Sequence, residues 1–129
     1  MYPRVEATES TISFIKVLKE KHGPLIFHQS GGCCDGSSPM CYPKDELWLN
    51  ETDILLGHLD DVPFYMNRDQ FDYWKHTHLT IDIVSGRGAG FSLEAPHNQR
   101  FVVVSRLFYD YEIEQLYPLK NGNGHEIKI

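Results

Sequence analysis

The chain has 129 residues, within the range of one domain, and its 41% apolar content is enough for one hydrophobic core without disulfide staples. Eighteen acidic residues against 12 basic ones leave a formal charge of -6, and the cations (among them Lys16, Lys21, Arg68, Lys75, Arg87 and Arg100) are scattered. No basic stripe exists to neutralise phosphates, so nucleic acid is not an expected partner. Nor does any run approach the roughly 20 apolar residues that span a bilayer, and the segment from Met1 to Glu6 lacks the apolar core of a signal peptide. Three cysteines clustered between positions 33 and 41 make an odd count that suits free thiols in a reducing compartment, so a cytoplasmic protein is expected.

Along the chain, Thr8 or Ser10 can cap a first helix running from about Thr11 to Lys21, in which Ile12, Ile15 and Leu18 recur at helical spacing. Gly23 and Pro24 stop it. Leu25 to Phe27 forms a short strand that delivers the chain into a Gly-, Ser- and Pro-rich loop from Ser30 to Cys41, on which all three thiols are expected. Strands are then expected at Leu47 to Leu49, Asp53 to His58 and Val62 to Met66, with Asp60-Asp61 as a turn. Asn67 caps a short helix ending near Lys75 or His76. His78 to Val84 alternates apolar and polar residues as a half-buried strand does. Ser85 to Gly90 reads as a hairpin turn because its Gly86-x-Gly88 lacks the rest of a dinucleotide fingerprint, and Phe91 to Leu93 as a strand after it. Phe101 to Phe108, the longest apolar run, is expected to be a central, well-buried strand. Trp48, Trp74 and the tyrosines are expected in core and rim packing. A flexible tail, frayed or partner-dependent, is expected from about 118, because Lys120-Asn121-Gly122-Asn123-Gly124-His125 is a composition that buries little surface by itself.

Chemistry concentrates on Gly31-Gly32-Cys33-Cys34-Asp35-Gly36. A cysteine reacts or ligates as its thiolate, and glycines on either side let a metal, a cation or backbone dipoles come close enough to stabilise that charge. Cys33, Cys34 and Cys41 are candidate ligands for zinc, iron or an iron-sulfur cluster, with His28, Asp35, His76 or His78 available to complete a tetrahedral set. The spacing lacks paired Cys-x-x-Cys knuckles. A nucleophilic thiol is the alternative, with His28 as base and Arg87 or the loop amides stabilising negative charge. Small, half-buried, unreactive thiols are the plainest reading.

Several segments carry a family likeness: the cysteine loop through Pro39-Met40-Cys41, Asp53 to Gly57, Val62-Pro63-Phe64-Tyr65, Tyr73-Trp74-Lys75-His76-Thr77, and Gly86 to Glu94. With these the chain resembles the bacterial family called domain of unknown function 779, over nearly its whole length to about Phe108. The resemblance implies a small cytoplasmic accessory protein often encoded beside aldehyde or alcohol dehydrogenases. A fainter likeness is to the HesB-like fold of A-type iron-sulfur carriers, in which Cys33 falls at the first cluster-ligating cysteine. Those carriers end in a Cys-Gly-Cys pair, whereas here Phe101 to Phe108 holds no cysteine, so their cluster site does not carry over.

The expectation is therefore one α+β domain spanning 1–129, HesB-like, with a twisted, mainly antiparallel or mixed sheet and two helices. Its expected function is accessory: binding a metal or cluster through Cys33, Cys34 and Cys41 in support of a dehydrogenase. A small thiol oxidoreductase or hydrolase using Cys33 or Cys34 is the enzyme alternative. A structural interaction module, a homodimer joined at a strand edge, is the third.

Overall fold

A computed structural model describes residues 3–29, 39–86, 92–116 and 119–127. The protein is α+β, with two mixed sheets and three helices. Strand β1 (Val5–Ala7) leads into helix α1 (Glu9–His22), whose N-cap is Thr8. The Thr8 hydroxyl accepts the Thr11 amide at 3.3 Å and donates to the Asp82 carboxylate at 2.9 Å, tying the helix start to a neighbouring strand. Gly23 ends the helix at φ 78°, in the left-handed region that suits glycine, and its amide bonds the Lys19 carbonyl at 2.8 Å.

Strands β2 (Leu25–Gln29), β3 (Met40–Pro43), β4 (Asp53–Leu59) and β5 (Val62–Asn67) follow, then helix α2 (Arg68–Trp74), capped by Asn67. Next come β6 (Thr77–Ser85), β7 (Gln99–Leu107), the single turn α3 (Asp110–Ile113), β8 (Leu119–Asn121) and β9 (Glu126–Ile127). One sheet has the order β3-β2-β5-β4-β8-β9 and the other β1-β6-β7. The β2–β5 and β1–β6 pairs are parallel and the rest antiparallel.

The core lies where Ile15 and Leu18 of α1 meet the inner faces of both sheets. Phe27 is at its centre, fully buried, stacked on Phe64 and edge-on to Phe101 with ring centroids 4.9 Å apart. Alternation sets these faces: Leu25, Phe27 and Gln29 point inward from β2, as do Val62, Phe64 and Met66 from β5.

Four expectations are corrected. Leu47 to Leu49 is not a strand. A 3-10 turn at Lys44–Glu46 and the turn at 50–52 leave it no partner, and it crosses the outer face of the larger sheet with Leu47 and Leu49 lining a cleft and Trp48 91% exposed. Trp48 is therefore neither core nor rim. Of Phe91 to Leu93, the described Ser92 and Leu93 are not in a strand; Leu93 instead bonds the Cys41 carbonyl through its amide at 2.9 Å.

The apolar run 101–108 is not central. It falls in β7 at the edge of the smaller sheet, where hydrophobicity reports β-propensity more than burial, and only Phe101 is buried within the strand. Residues 119–126 pack after all. Strand β8 pairs with β4, and the buried Asn121 side chain accepts the amides of Asn123 and His125, closing a turn that composition alone does not predict. The Gly122 amide bonds the Asp53 carbonyl at 2.8 Å, and a side chain there would collide with the Asn50 backbone.

Candidate functional site

Cys33, Cys34, Asp35 and Arg87 lie outside the described residues, as do Gly31, Gly32, Gly36, Gly88 and Gly90. What the structure describes is the frame from which the cysteine loop departs: the end of β2, the starts of β3 and β4, and the end of β5.

Strand β2 ends in His28 and Gln29, whose side chains take opposite faces. His28 lies level with Met40 on one side and Tyr65 on the other, and Tyr65 is level with Leu55 of β4. On this outer face His28 Nε2 sits 2.6 Å from Asp53 Oδ1, and both side chains are largely buried. The second oxygen of Asp53 accepts the Asn50 amide at 3.0 Å, and Asn50 in turn accepts the Thr52 amide at 2.8 Å. The carboxylate is thus held through both oxygens, and it holds the imidazole. Burial, and next the Asp53 charge, push the Tyr65 phenol above its ordinary pKa, so it stays protonated beside the pair. Leu55 and Tyr65 also line a cleft of about 420 Å³ under the 47–49 segment.

Gln29 turns inward, is fully buried, and among the described residues neither its amide nitrogen nor its oxygen has a hydrogen-bond partner. An unpaired buried polar group costs about 1–3 kcal/mol, which makes this position unusual in a packed core.

Cys41 is corrected from a loop thiol to a core residue of β3. Its partner across β2 is Phe27, so it shares the inner face and is fully buried, on the opposite side of the sheet from His28. Burial, and then the nearby Glu94 carboxylate, push its thiol far above the ordinary value, which disfavours the thiolate that ligation or attack requires. His76 lies in the turn before β6, and His78 sits within β6, 2.8 Å from Glu6 and edge-on to Phe108. His78 belongs to the other sheet, and His76 to the turn that leads into it. Among the described residues no three His, Cys, Asp or Glu side chains converge as a metal site.

Beside Cys41 is a buried relay not foreseen from the sequence. The Cys41 amide donates to Ser92 Oγ at 2.8 Å, and the Ser92 hydroxyl donates to the Glu94 carboxylate. Burial raises the Glu94 pKa, against the lowering effect of the Ser92 hydroxyl and the Phe101 amide. A carboxyl whose folded pKa exceeds its unfolded value of 4.5 contributes stability below that pH and loses it as pH rises through the folded value. Glu94→Gln is therefore expected to raise the melting temperature at neutral pH and leave it nearly unchanged below pH 4.5. Thermal melts of both proteins across that range measure it; equal shifts at both ends would contradict the assignment.

Sequence reasoning singled out His28 but missed Asp53 beside it, the buried Gln29 on the opposite face, and Glu94 beside Cys41. Asp53 carried a faint signal, a lone acid opening the apolar stretch Ile54-Leu55-Leu56, but its partner is visible only once β2, β5 and β4 lie side by side.

Fold and site together define a small α+β protein with a carboxylate-held histidine near the end of β2, and among the described residues no helix is long and apolar enough to cross a membrane. Residues 14–107 match the family described as Domain of unknown function (DUF779), and the chain belongs to that family. No curated protein matches it.

Proposed function

We propose that this is a cytoplasmic accessory protein that binds a soft metal ion, zinc or iron, through His28 together with Cys33 and Cys34. The observation that carries this reading is the Asp53-His28 contact. A ligating histidine characteristically has its second ring nitrogen fixed by a carboxylate, which orients the ring and raises its basicity. Four residues separate that histidine from the first of two adjacent thiols. The fit is partial by design of the fold: Cys41, in its thiolate-disfavouring core position, is a structural residue and leaves the ligand set. An aldehyde or alcohol dehydrogenase is the partner the family likeness offers.

Metal analysis of anaerobically purified protein tests the reading. Wild type and Cys41→Ala should carry metal near one per chain, while His28→Ala and the Cys33→Ser/Cys34→Ser double variant should lose most of it. A full complement in the double variant would overturn the assignment.

The same histidine-carboxylate pair also serves a thiol nucleophile, as base and orienter. That reading predicts a metal-free protein with one loop thiol that alkylates fast, and slower in His28→Ala. Cys41 should stay unmodified until unfolding under either reading.

A further inference from the structure

The edge of the smaller sheet carries an inference independent of the metal reading. Strand β7 is nine residues long, runs in unbroken register with β6, and ends the order β1-β6-β7. Monomeric proteins blunt such an edge with proline, lysine, a bulge or a covering element. Here Gln99 to Leu107 contains neither proline nor lysine, its two charges, Arg100 and Arg106, stand near the ends of the strand, and Val104 and Leu107 are 59% and 71% exposed. Tyr109, Tyr111 and Ile113 extend the exposed apolar surface just beyond the strand.

Which backbone groups face outward follows from the ends of the ladder. The Phe108 amide bonds the His76 carbonyl at 3.0 Å and the Gly86 amide bonds the Asn98 carbonyl at 3.1 Å, both in the register of the β6–β7 pair. In an antiparallel ladder bonded and non-bonded pairs alternate, so the even-numbered residues of β7 bond β6 and the odd-numbered ones point away. Of the odd ones, the Phe101 amide faces Glu94 and the Leu107 carbonyl accepts Arg106 Nη1. That leaves Gln99, Val103 and Ser105 with the Phe101 carbonyl and the Leu107 amide, and among the described residues nothing bonds the outward amides or carbonyls of Val103 and Ser105, at the middle of the edge.

We propose that β7 pairs antiparallel with β7 of a second copy, about a two-fold axis at Val104. This register places Val103 against Ser105 of the other copy, and the reverse, so each such pair exchanges both backbone hydrogen bonds and the outward groups of both residues are used. Val104 meets its own mate as a non-bonded pair, with Cα atoms about 4.5 Å apart, where side chains approach most closely. Leu107 comes opposite Phe101, and Arg106 opposite Val102. A two-fold axis at Val103 would instead oppose Arg100 to Arg106 and set the Phe101 amide, which Glu94 already faces, against the open Ser105 carbonyl, whereas the axis at Val104 sets it against the Leu107 carbonyl that Arg106 already holds. The contact is isologous and closed, as expected of a homodimer.

The test is sedimentation of the full chain over a dilution series, with amide hydrogen exchange at each end. Wild type should sediment as a dimer. Its Val103 and Ser105 amides should exchange slowly when dimeric and fast after dilution, while those of Val102 and Val104, bonded to β6, stay protected throughout. Val104→Lys, at an exposed position, places like charges across the axis and should weaken the dimer about tenfold or more; Val104→Thr should keep it. A wild-type chain that is monomeric at every concentration, including one whose edge is reserved for a strand of another protein, overturns the proposal. So does a dimer in which Val103 and Ser105 exchange freely. The wild-type exchange data decide the matter even if Val104→Lys does not fold.

Discussion

Phe27→Ala should lower the unfolding free energy by about 3–5 kcal/mol, the usual cost of emptying a large aromatic site in a packed core. The ring is fully buried, stacked between the Phe64 face and the Phe101 edge, and backed across β3 by Cys41, so three elements lose their common contact at once. Collapse into the cavity is restricted, because Phe27 and Phe64 sit on adjacent parallel strands held by a backbone ladder. Urea unfolding followed by circular dichroism measures the loss. Domain stabilities commonly lie at about 5–15 kcal/mol, so the variant should be folded only marginally. A change below about 1 kcal/mol would mean that Phe27 is not where the core closes.

Asp53→Ala is expected to cost about 3 kcal/mol and to disable the site as well. It removes the partner of His28 and the acceptor of the Asn50 amide, both in largely buried surroundings, and hydrogen bonds to charged groups contribute about 1.5–3 kcal/mol each. Asp53→Asn separates the two effects. The amide retains the shape and an acceptor oxygen, so stability should fall less, while the lost charge no longer holds the imidazole as a carboxylate does. Chemical unfolding reads the first effect and bound metal, or the alkylation rate of the loop thiols, the second. If Asp53→Asn leaves both site readouts at the wild-type level, the Asp53-His28 contact is only structural. The carboxyl-terminal hairpin shares in this position: its Gly122 amide bonds the carbonyls of both Asn50 and Asp53, so the turn that presents Asp53 is clamped from the far end of the chain.

Local features were legible because local chemistry produces them. Thr8 and Asn67 are caps, Gly23 stops a helix, and the alternation in Val62 to Met66 and in His78 to Val84 marks strands with one buried face. The misplaced elements share a cause. Leu47-Trp48-Leu49 and Phe91-Ser92-Leu93 have strand-like composition, but a strand also needs a neighbour with open hydrogen-bond edges. Phe101 to Phe108 has the hydrophobicity of a central strand and sits at an edge, because periodicity reports which face is apolar and says nothing about which strands stand beside it. The tail misled in the opposite sense: its polar residues are the ones that build the Asn121 turn.

The sequence by itself determined α1 and α2, the strands β2, β4, β5, β6 and β7, and the family, since each depends on residues close in the chain. Only the tertiary structure decided that His28 belongs with Asp53, that Cys41 belongs with Phe27 and Glu94, and that His78 belongs to another sheet. Strand order and register set those pairings, and a shift of one residue sends a side chain to the opposite face.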